Sequence, residues 1–334
     1  MTKKPIAHYR PMLAEAWRLT WERKSLWVFG IFAALISTGG VVDVVLTSFK
    51  KIEQGGTLLT QLMNSSYIGY ELASQYIQQL TLLGPDRAKS LIIFATLVGV
   101  LLVVMATLSQ GALILGLQAK KREDPYSLKQ EAQKHFWSLF VLAALNKTMT
   151  LILLLLMTLP LFFFYIQTST KSALLFFFLT SLLIPVLTVL NIIYLFALMD
   201  VVDGNNHPLD AIGRGWNLFR HHWLATLEYG LILFLFVGIA GFLLIGLLLL
   251  FTVPYALIFT TTLLTGSFSF FLIANTLFGL LVIALILAFA GATVTFQYSS
   301  WHQFYTRGLH KTHGKKIFSK ILRLAQRVVV AHEE

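Results

Sequence analysis

Long apolar runs without a charged side chain dominate the C-terminal half of the chain. Between Tyr229 and Thr306 there is no Asp, Glu, Lys or Arg. One α-helix needs about 20 apolar residues to cross a bilayer, so this stretch is long enough for at least two crossings. The pattern predicts a polytopic membrane protein, most of which is surrounded by lipid rather than water.

Apolar runs of sufficient length occur six times, which predicts an all-α fold with six transmembrane helices. The predicted spans are residues 26–48, 90–118, 138–166, 172–200, 223–252 and 267–298, with an outer loop at 49–89. They form one membrane domain at 1–306, and a basic amphipathic tail follows at 307–334. The first apolar run begins too far along the chain for a signal peptide, so we expect an uncleaved span.

A short amphipathic stretch rich in tryptophan precedes each odd-numbered span. In the third stretch, apolar residues recur at helical spacing on one face: Leu209, Ile212, Trp216, Phe219 and Trp223. This pattern predicts three units, each an interfacial helix followed by a two-span hairpin, at 8–119, 125–202 and 206–300. The alternative is unrelated tryptophan at the interface, where this residue is common. In both cases the predicted interfacial anchors are Trp17, Trp21, Trp27, Trp137, Trp216, Trp223 and Trp301.

Basic residues alternate between the connections that join the spans. Six Lys or Arg lie in the first 25 residues, five lie at 120–136 and seven lie at 307–327. The intervening turns hold one at 167–171 and none at 253–266. Basic connections remain in the cytoplasm, so the pattern predicts a multi-pass protein of the plasma (inner) membrane with both termini cytoplasmic.

Composition agrees with the membrane class and narrows the partners. The chain is 57% apolar and 12% charged, has a net charge of +11 and contains no cysteine. Its basic residues flank apolar segments, which indicates membrane lipids, including anionic headgroups, as partners and argues against nucleic acid. In the tail, Lys316, Lys320, Arg323 and Arg327 share one helical face and are predicted headgroup contacts. A protein partner or a homo-oligomer is the alternative.

One charged residue lies deep inside a predicted span. Lys147 is about ten residues inside the third span, and its candidate partners are Glu228 and Asp43. A charge at that depth is costly unless it is paired or hydrated, so it is a candidate site for substrate or protons. Asn191 is a further polar candidate for the same site. The alternative is a structural ion pair, or a lysine whose amine reaches the interface.

No catalytic, cofactor or metal signature accompanies these groups. His310 and His313 have ligand spacing but lack a diagnostic third ligand. The segment 199–206 resembles a calcium loop but lacks its bidentate Glu. We therefore expect no metal, no cofactor and no enzymatic activity.

Two segments resemble a known kind of membrane domain. The stretches AEAWRLTWERKSLWVFGIFAAL and ALMDVVDGNNHPLDAIGRGWNLFRHHWLATLEYGLIL are similar to the six-span membrane domain of glycerophosphodiester phosphodiesterases and related prokaryotic membrane families. The similarity covers about residues 8–305. In those phosphodiesterases a separate soluble barrel carries the chemistry, so the resemblance implies fold and location but no activity.

Three functions are compatible with these observations. The leading hypothesis is a non-enzymatic integral membrane protein that organises, senses or scaffolds at the inner membrane. The alternative is a transporter of small solutes or lipids that uses Lys147 and Glu228 in a central polar site. An enzyme acting on lipid headgroups through cytoplasmic His and Asp residues ranks last, because no acid–base or nucleophile constellation is present.

Overall fold

The computed structural model describes residues 9–34, 85–119, 124–166, 170–204, 206–265 and 268–309. Every regular element within these ranges is a helix, and they contain no β-strand. Five of these helices are long and apolar enough to cross a membrane. The structure therefore confirms an all-helical protein with several helices of membrane-spanning length.

Eight helices are present in the described ranges, and the last leads into one π-helical segment. They are α1 Tyr9–Glu22, α2 at 26–34, α3 Pro85–Gln118, α4 Pro125–Lys134, α5 Phe136–Ile166, α6 Thr170–Gly204, α7 Pro208–Thr265 and α8 Phe268–Gln303. The π-helical segment is Phe304–Leu309. The second to sixth predicted spans lie in α3, α5, α6, α7 and α8. Most of the first predicted span falls outside the described residues, so the number six stays a prediction.

Helix α7 extends further than the sequence pattern predicts. It continues through Pro254 to Thr265, whereas the predicted span ends at 252. The extension is held against α8: Tyr255 stacks on Phe278 at 4.1 Å, and its hydroxyl donates a 2.8 Å hydrogen bond to Asn275. Proline removes one backbone hydrogen bond without ending a helix whose flanks are packed. The predicted turn at 253–266 is therefore wrong in extent.

Each of the three predicted amphipathic stretches is a helix that ends in a break before an apolar helix. A turn at 23–25 separates α1 from α2. His135, with φ −98° and ψ 3°, separates α4 from α5. His222, with φ −128° and ψ 26°, interrupts α7 after its first fourteen residues, 208–221. Each break therefore lies just before or at the start of an apolar helix.

The buried core lies at one end of these helices. Helix α5 packs on α6, α6 on α7, and α1 and α7 on α8. The largest fully buried side chains come from the ends that adjoin the breaks and the charged connections: Leu26, Leu113, Ile114, Leu139, Leu142, Phe196, Leu198, Met199, Tyr229 and Phe304. Farther along α7 and α8, large apolar side chains such as Phe234, Phe242 and Leu277 are exposed. We call the packed end the basic end.

Two glycines allow α2 and α8 to approach closely. A Cβ placed on Gly291 would lie 2.7 Å from the carbonyl oxygen of Trp27, and one on Gly30 would collide with the carbonyl oxygen of Gly291. Small residues let helix backbones meet in membranes, where close packing replaces the hydrophobic effect as a driving force. Gly30 and Gly291 are therefore required for this contact.

We expect Gly291→Ala to destabilise the protein by about 1–3 kcal/mol, because the added methyl overpacks the α2–α8 contact. The matched control is Gly279→Ala on the same helix, where a Cβ would meet nothing within 4 Å. The control should be neutral or slightly stabilising, since alanine favours helices over glycine. Unfolding by SDS titration in mixed micelles measures both. Equal effects of the two substitutions would contradict the close approach.

Candidate functional site at the basic end

An aromatic cluster fills the basic end of the bundle. The ring of Tyr229 stacks on Phe304 with centroids 4.5 Å apart, and meets the edge of Trp301 at 5.5 Å and the ring of Tyr9 at 5.6 Å. Its hydroxyl donates a 2.9 Å hydrogen bond to the backbone carbonyl of Ser300. Tyr229 is fully buried, so its one polar atom needs this partner. The cluster joins α1, α7 and α8 and excludes water from their junction.

Asp200, near the end of α6, connects three elements of the basic end. Its carboxylate accepts a hydrogen bond from Arg214 Nε at 2.8 Å, from Asn206 Nδ2 at 3.4 Å and from the Tyr305 hydroxyl at 3.4 Å. Arg214 lies in the first part of α7, and Tyr305 lies in the π-helical segment. Hydrogen bonds to an ionised carboxylate are stronger than neutral ones. Asp200 therefore holds these elements together.

The end of α3 is fastened by two further side chains. The guanidinium of Arg23 donates to the carbonyl oxygen of Gly116 and, at 2.7 Å, to that of Ala119. Gln118 donates to the carboxylate of Asp203. The last carbonyls of a helix have no partner within the helix, so Arg23 satisfies groups that would otherwise need water. These bonds attach α3 to the α1–α2 turn and to α6.

A buried glutamine lies deeper among the same helices. Tyr194 donates a 2.8 Å hydrogen bond to Oε1 of Gln110, which is fully buried. The hydroxyl of Thr295 donates to the carbonyl oxygen of Leu26 at 3.4 Å. Such bonds between helices replace the water that the lipid does not supply.

One segment of α8 carries buried polar atoms that accept or donate no hydrogen bond within the described ranges. They are the hydroxyls of Ser299 and Ser300, both ring nitrogens of His302 and Oε1 of Gln303. The sequence analysis did not assign these residues to a buried site. The available signal was their density, four polar side chains in five residues at the end of the uncharged stretch.

Three of the four residues of the predicted intramembrane site lie on α5, α6 and α7. Lys147 is exposed on α5, and its neighbour Asn146 donates a 3.4 Å hydrogen bond to Asn191 of α6. Glu228 accepts a 3.2 Å hydrogen bond from the hydroxyl of Tyr9. Asp43 falls outside the described residues. Asn191 is therefore beside the lysine-bearing turn, and the Lys147–Glu228 pair stays a prediction.

Within the described ranges, no group of three His, Asp or Glu side chains is arranged to hold a metal ion. The carboxylates of Asp200 and Asp203 instead accept the hydrogen bonds given above. These two carboxylates therefore take part in joining helices at the basic end.

The predicted tryptophan anchors divide into two groups. Trp17, Trp21, Trp137, Trp216 and Trp223 are exposed, and Trp27 is partly exposed. Trp301 is only 7% exposed and packs between Phe196 and Tyr229, so it is a core residue and the prediction of an interfacial anchor is wrong there. The predicted headgroup contacts of the tail, Lys316, Lys320, Arg323 and Arg327, lie outside the described residues.

Comparison with protein-family models, curated proteins and solved structures finds no match for this chain. The resemblance to the membrane domain of glycerophosphodiester phosphodiesterases therefore stays an expectation. Function has to be argued from the packing and the chemistry of the chain itself.

We expect Asp200→Asn to lower the free energy of unfolding by about 1–3 kcal/mol, because a neutral amide loses the charge-assisted bond from Arg214. Glu131→Gln removes an exposed carboxylate of α4 and should change stability by less than about 0.5 kcal/mol. SDS titration measures both variants. If Arg214→Gln costs as much in the Asp200→Asn background as in the wild type, the two side chains are not coupled and the role of Asp200 is wrong.

Proposed function

We propose that this is a non-enzymatic integral protein of the inner membrane that organises or scaffolds at the membrane surface. In this proposal six spans form three units, each an interfacial helix followed by a hairpin, and both termini are cytoplasmic. The exposed tryptophan-bearing helices and the basic tail are the parts that act on lipid or on a partner. The basic end then faces the cytoplasm.

The observation that carries the proposal is the closed packing of the basic end. Tyr9, Tyr229, Trp301 and Phe304 are buried against one another there. A transport path between α1, α7 and α8 would have to pass through these rings. In addition, Asp200 and Arg23 direct their charges at other helices rather than at a shared polar space.

The position of Lys147 also supports a scaffold. Its side chain is exposed on α5, whereas a transport site needs its charge in the interior of the bundle.

The three helix breaks support the proposed units. Each short helix ends at a break, at 23–25, His135 and His222, and an apolar helix follows. The same order occurring three times favours repeated units over unrelated tryptophan at the interface. The resemblance to the phosphodiesterase membrane domains points to the same fold and location.

One contact favours the alternative function, a transporter of small solutes or lipids. The hydrogen bond between Asn146 and Asn191 brings polar groups of α5 and α6 together one residue from Lys147. A polar site between two spans is the minimum that a transporter requires. The same bond also serves as ordinary adhesion between helices.

Accessibility at position 147 separates the two functions. The chain has no cysteine, so Lys147→Cys introduces the only thiol. We expect no reaction with a membrane-impermeant maleimide added to either side of sealed vesicles, because maleimide needs the thiolate, which forms in water and not in lipid. Quantitative labelling on a gel measures the reaction.

Two variants calibrate this experiment. Ser127→Cys, exposed on α4, should be labelled from one side, and Leu142→Cys, buried on the same helix as Lys147, should remain unlabelled. Labelling of Lys147→Cys at a rate near that of Ser127→Cys, with protection by a solute, would reject the scaffold and establish an aqueous transport site.

A further inference from the structure

The three helix breaks share a sequence feature. A basic residue lies three positions before a tryptophan at each of them, in the segments KSLW, KHFW and RHHW. The pairs are Lys24 with Trp27, Lys134 with Trp137, and Arg220 with Trp223. The break lies between the two members at His135 and at His222, whereas in the first pair Lys24 lies within the turn at 23–25 and Trp27 follows it. Each cation therefore lies at or just before a break, which we call a corner, and each indole lies just after it at the start of an apolar helix.

The three cations are available for a ligand. Lys24, Lys134 and Arg220 are exposed, and none forms an ion pair with a carboxylate of the described residues. The ammonium of Lys24 lies 5.9 Å from the ring centre of Trp21. Two other basic side chains of α1 and α7 are engaged, since Arg18 pairs with Glu15 and Glu22 and Arg214 pairs with Asp200.

The indoles provide an apolar surface beside each cation. Trp137 is 74% exposed and Trp223 is 53% exposed. Trp27 is partly exposed, donates from its ring nitrogen to the carbonyl oxygen of Thr20 and meets the edge of Trp21 at 5.2 Å. Exposed apolar residues continue along the long helices beyond the corners, for example Val141 after Trp137 and Leu231 after Trp223.

We propose that each of these three corners binds the headgroup phosphate of an anionic phospholipid. The cation at or just before the break contacts the phosphate, and the indole just after the break packs against the glycerol and the upper acyl chain. This inference rests on the proposed function and names anionic phospholipid as the partner of the proposed scaffold. The neighbouring apolar surface favours a lipid over a free anion, because only a lipid brings acyl chains to cover it.

Quenching of tryptophan fluorescence tests the proposal. The full chain is reconstituted in phosphatidylcholine nanodiscs that contain increasing fractions of phosphatidylglycerol with brominated acyl chains. Bromine quenches an indole only at short range, so a bound lipid is detected at a low lipid fraction. The compared quantity is the fraction of brominated lipid that gives half-maximal quenching.

Two triple variants with equal loss of charge are compared. The first replaces Lys24, Lys134 and Arg220 with glutamine, and the second replaces three other exposed basic residues, Arg10, Lys129 and Arg307, with glutamine. General attraction to an anionic surface falls equally in both. We expect the first variant to need about fivefold more brominated lipid than the second, because only the first loses the corner sites.

A single-residue pair keeps the test decisive if a triple variant fails to fold. Lys134→Gln removes a corner cation of α4, whereas Lys129→Gln removes an exposed cation five residues earlier on the same helix. Quenching should require more brominated lipid only for Lys134→Gln. Equal behaviour of the two single variants, or of the two triple variants, would overturn the proposal and leave only general charge attraction.

A second arm separates the lipid from its phosphate alone. Millimolar inorganic phosphate should leave the quenching of the wild-type protein unchanged. Loss of quenching when phosphate is added would overturn the assignment to lipid. Labelling at position 147 reports on another site, so the two proposals fail separately. Labelling of Lys147→Cys would reject the scaffold whatever the quenching result. Equal half-maximal quenching fractions for the corner variants and their controls would reject the lipid sites whatever the labelling result.

Discussion

Apolar helices in a bilayer gain no hydrophobic energy by touching one another, because lipid tails cover their side chains equally well. Their association must come from close packing and from polar bonds. Both are concentrated at the basic end of this protein. Gly30 and Gly291 let two backbones meet there, Tyr229 stacks on Phe304, and Asp200 joins three elements. The arrangement of the described helices depends on these contacts.

Away from the basic end, large apolar side chains of α7 and α8 remain exposed. From Trp223 to Thr265, α7 has 43 residues after its break, about 64 Å at 1.5 Å per residue. This length exceeds a hydrocarbon core of about 30 Å, so the helix has to tilt or extend beyond it. Its large apolar side chains are exposed, and the pairing of Tyr255 with Phe278 and Asn275 ties it to α8. Lipid is the natural neighbour of such a surface.

Apolar length and periodicity predicted the helical class, the positions of five long helices and the three short amphipathic helices, because these features depend on each segment alone. Features that depend on partners were not predictable in this way. The apolar pattern ended the fifth span at 252, but contacts with α8 accompany the continuation of α7 past Pro254. Trp301 is a residue type that is common at membrane interfaces, yet its ring packs against Phe196 and Tyr229 in the core. Which polar side chains bond to one another, such as Gln110 with Tyr194, depends on how the helices pack.

The polar residues at the basic end divide according to the direction they face. Two of the basic residues bond to other elements of the bundle, as Arg23 does to the end of α3 and Arg214 does to Asp200. Lys24, Lys134 and Arg220 face outward beside tryptophan, with no carboxylate of the described residues paired to them. A transporter would need the opposite distribution, with unpaired charge inside and apolar side chains outside. A bundle with a packed interior and exposed cations on its surface is suited to binding anionic lipid headgroups. The same distribution of charge therefore supports both the proposed scaffold and the three proposed lipid sites.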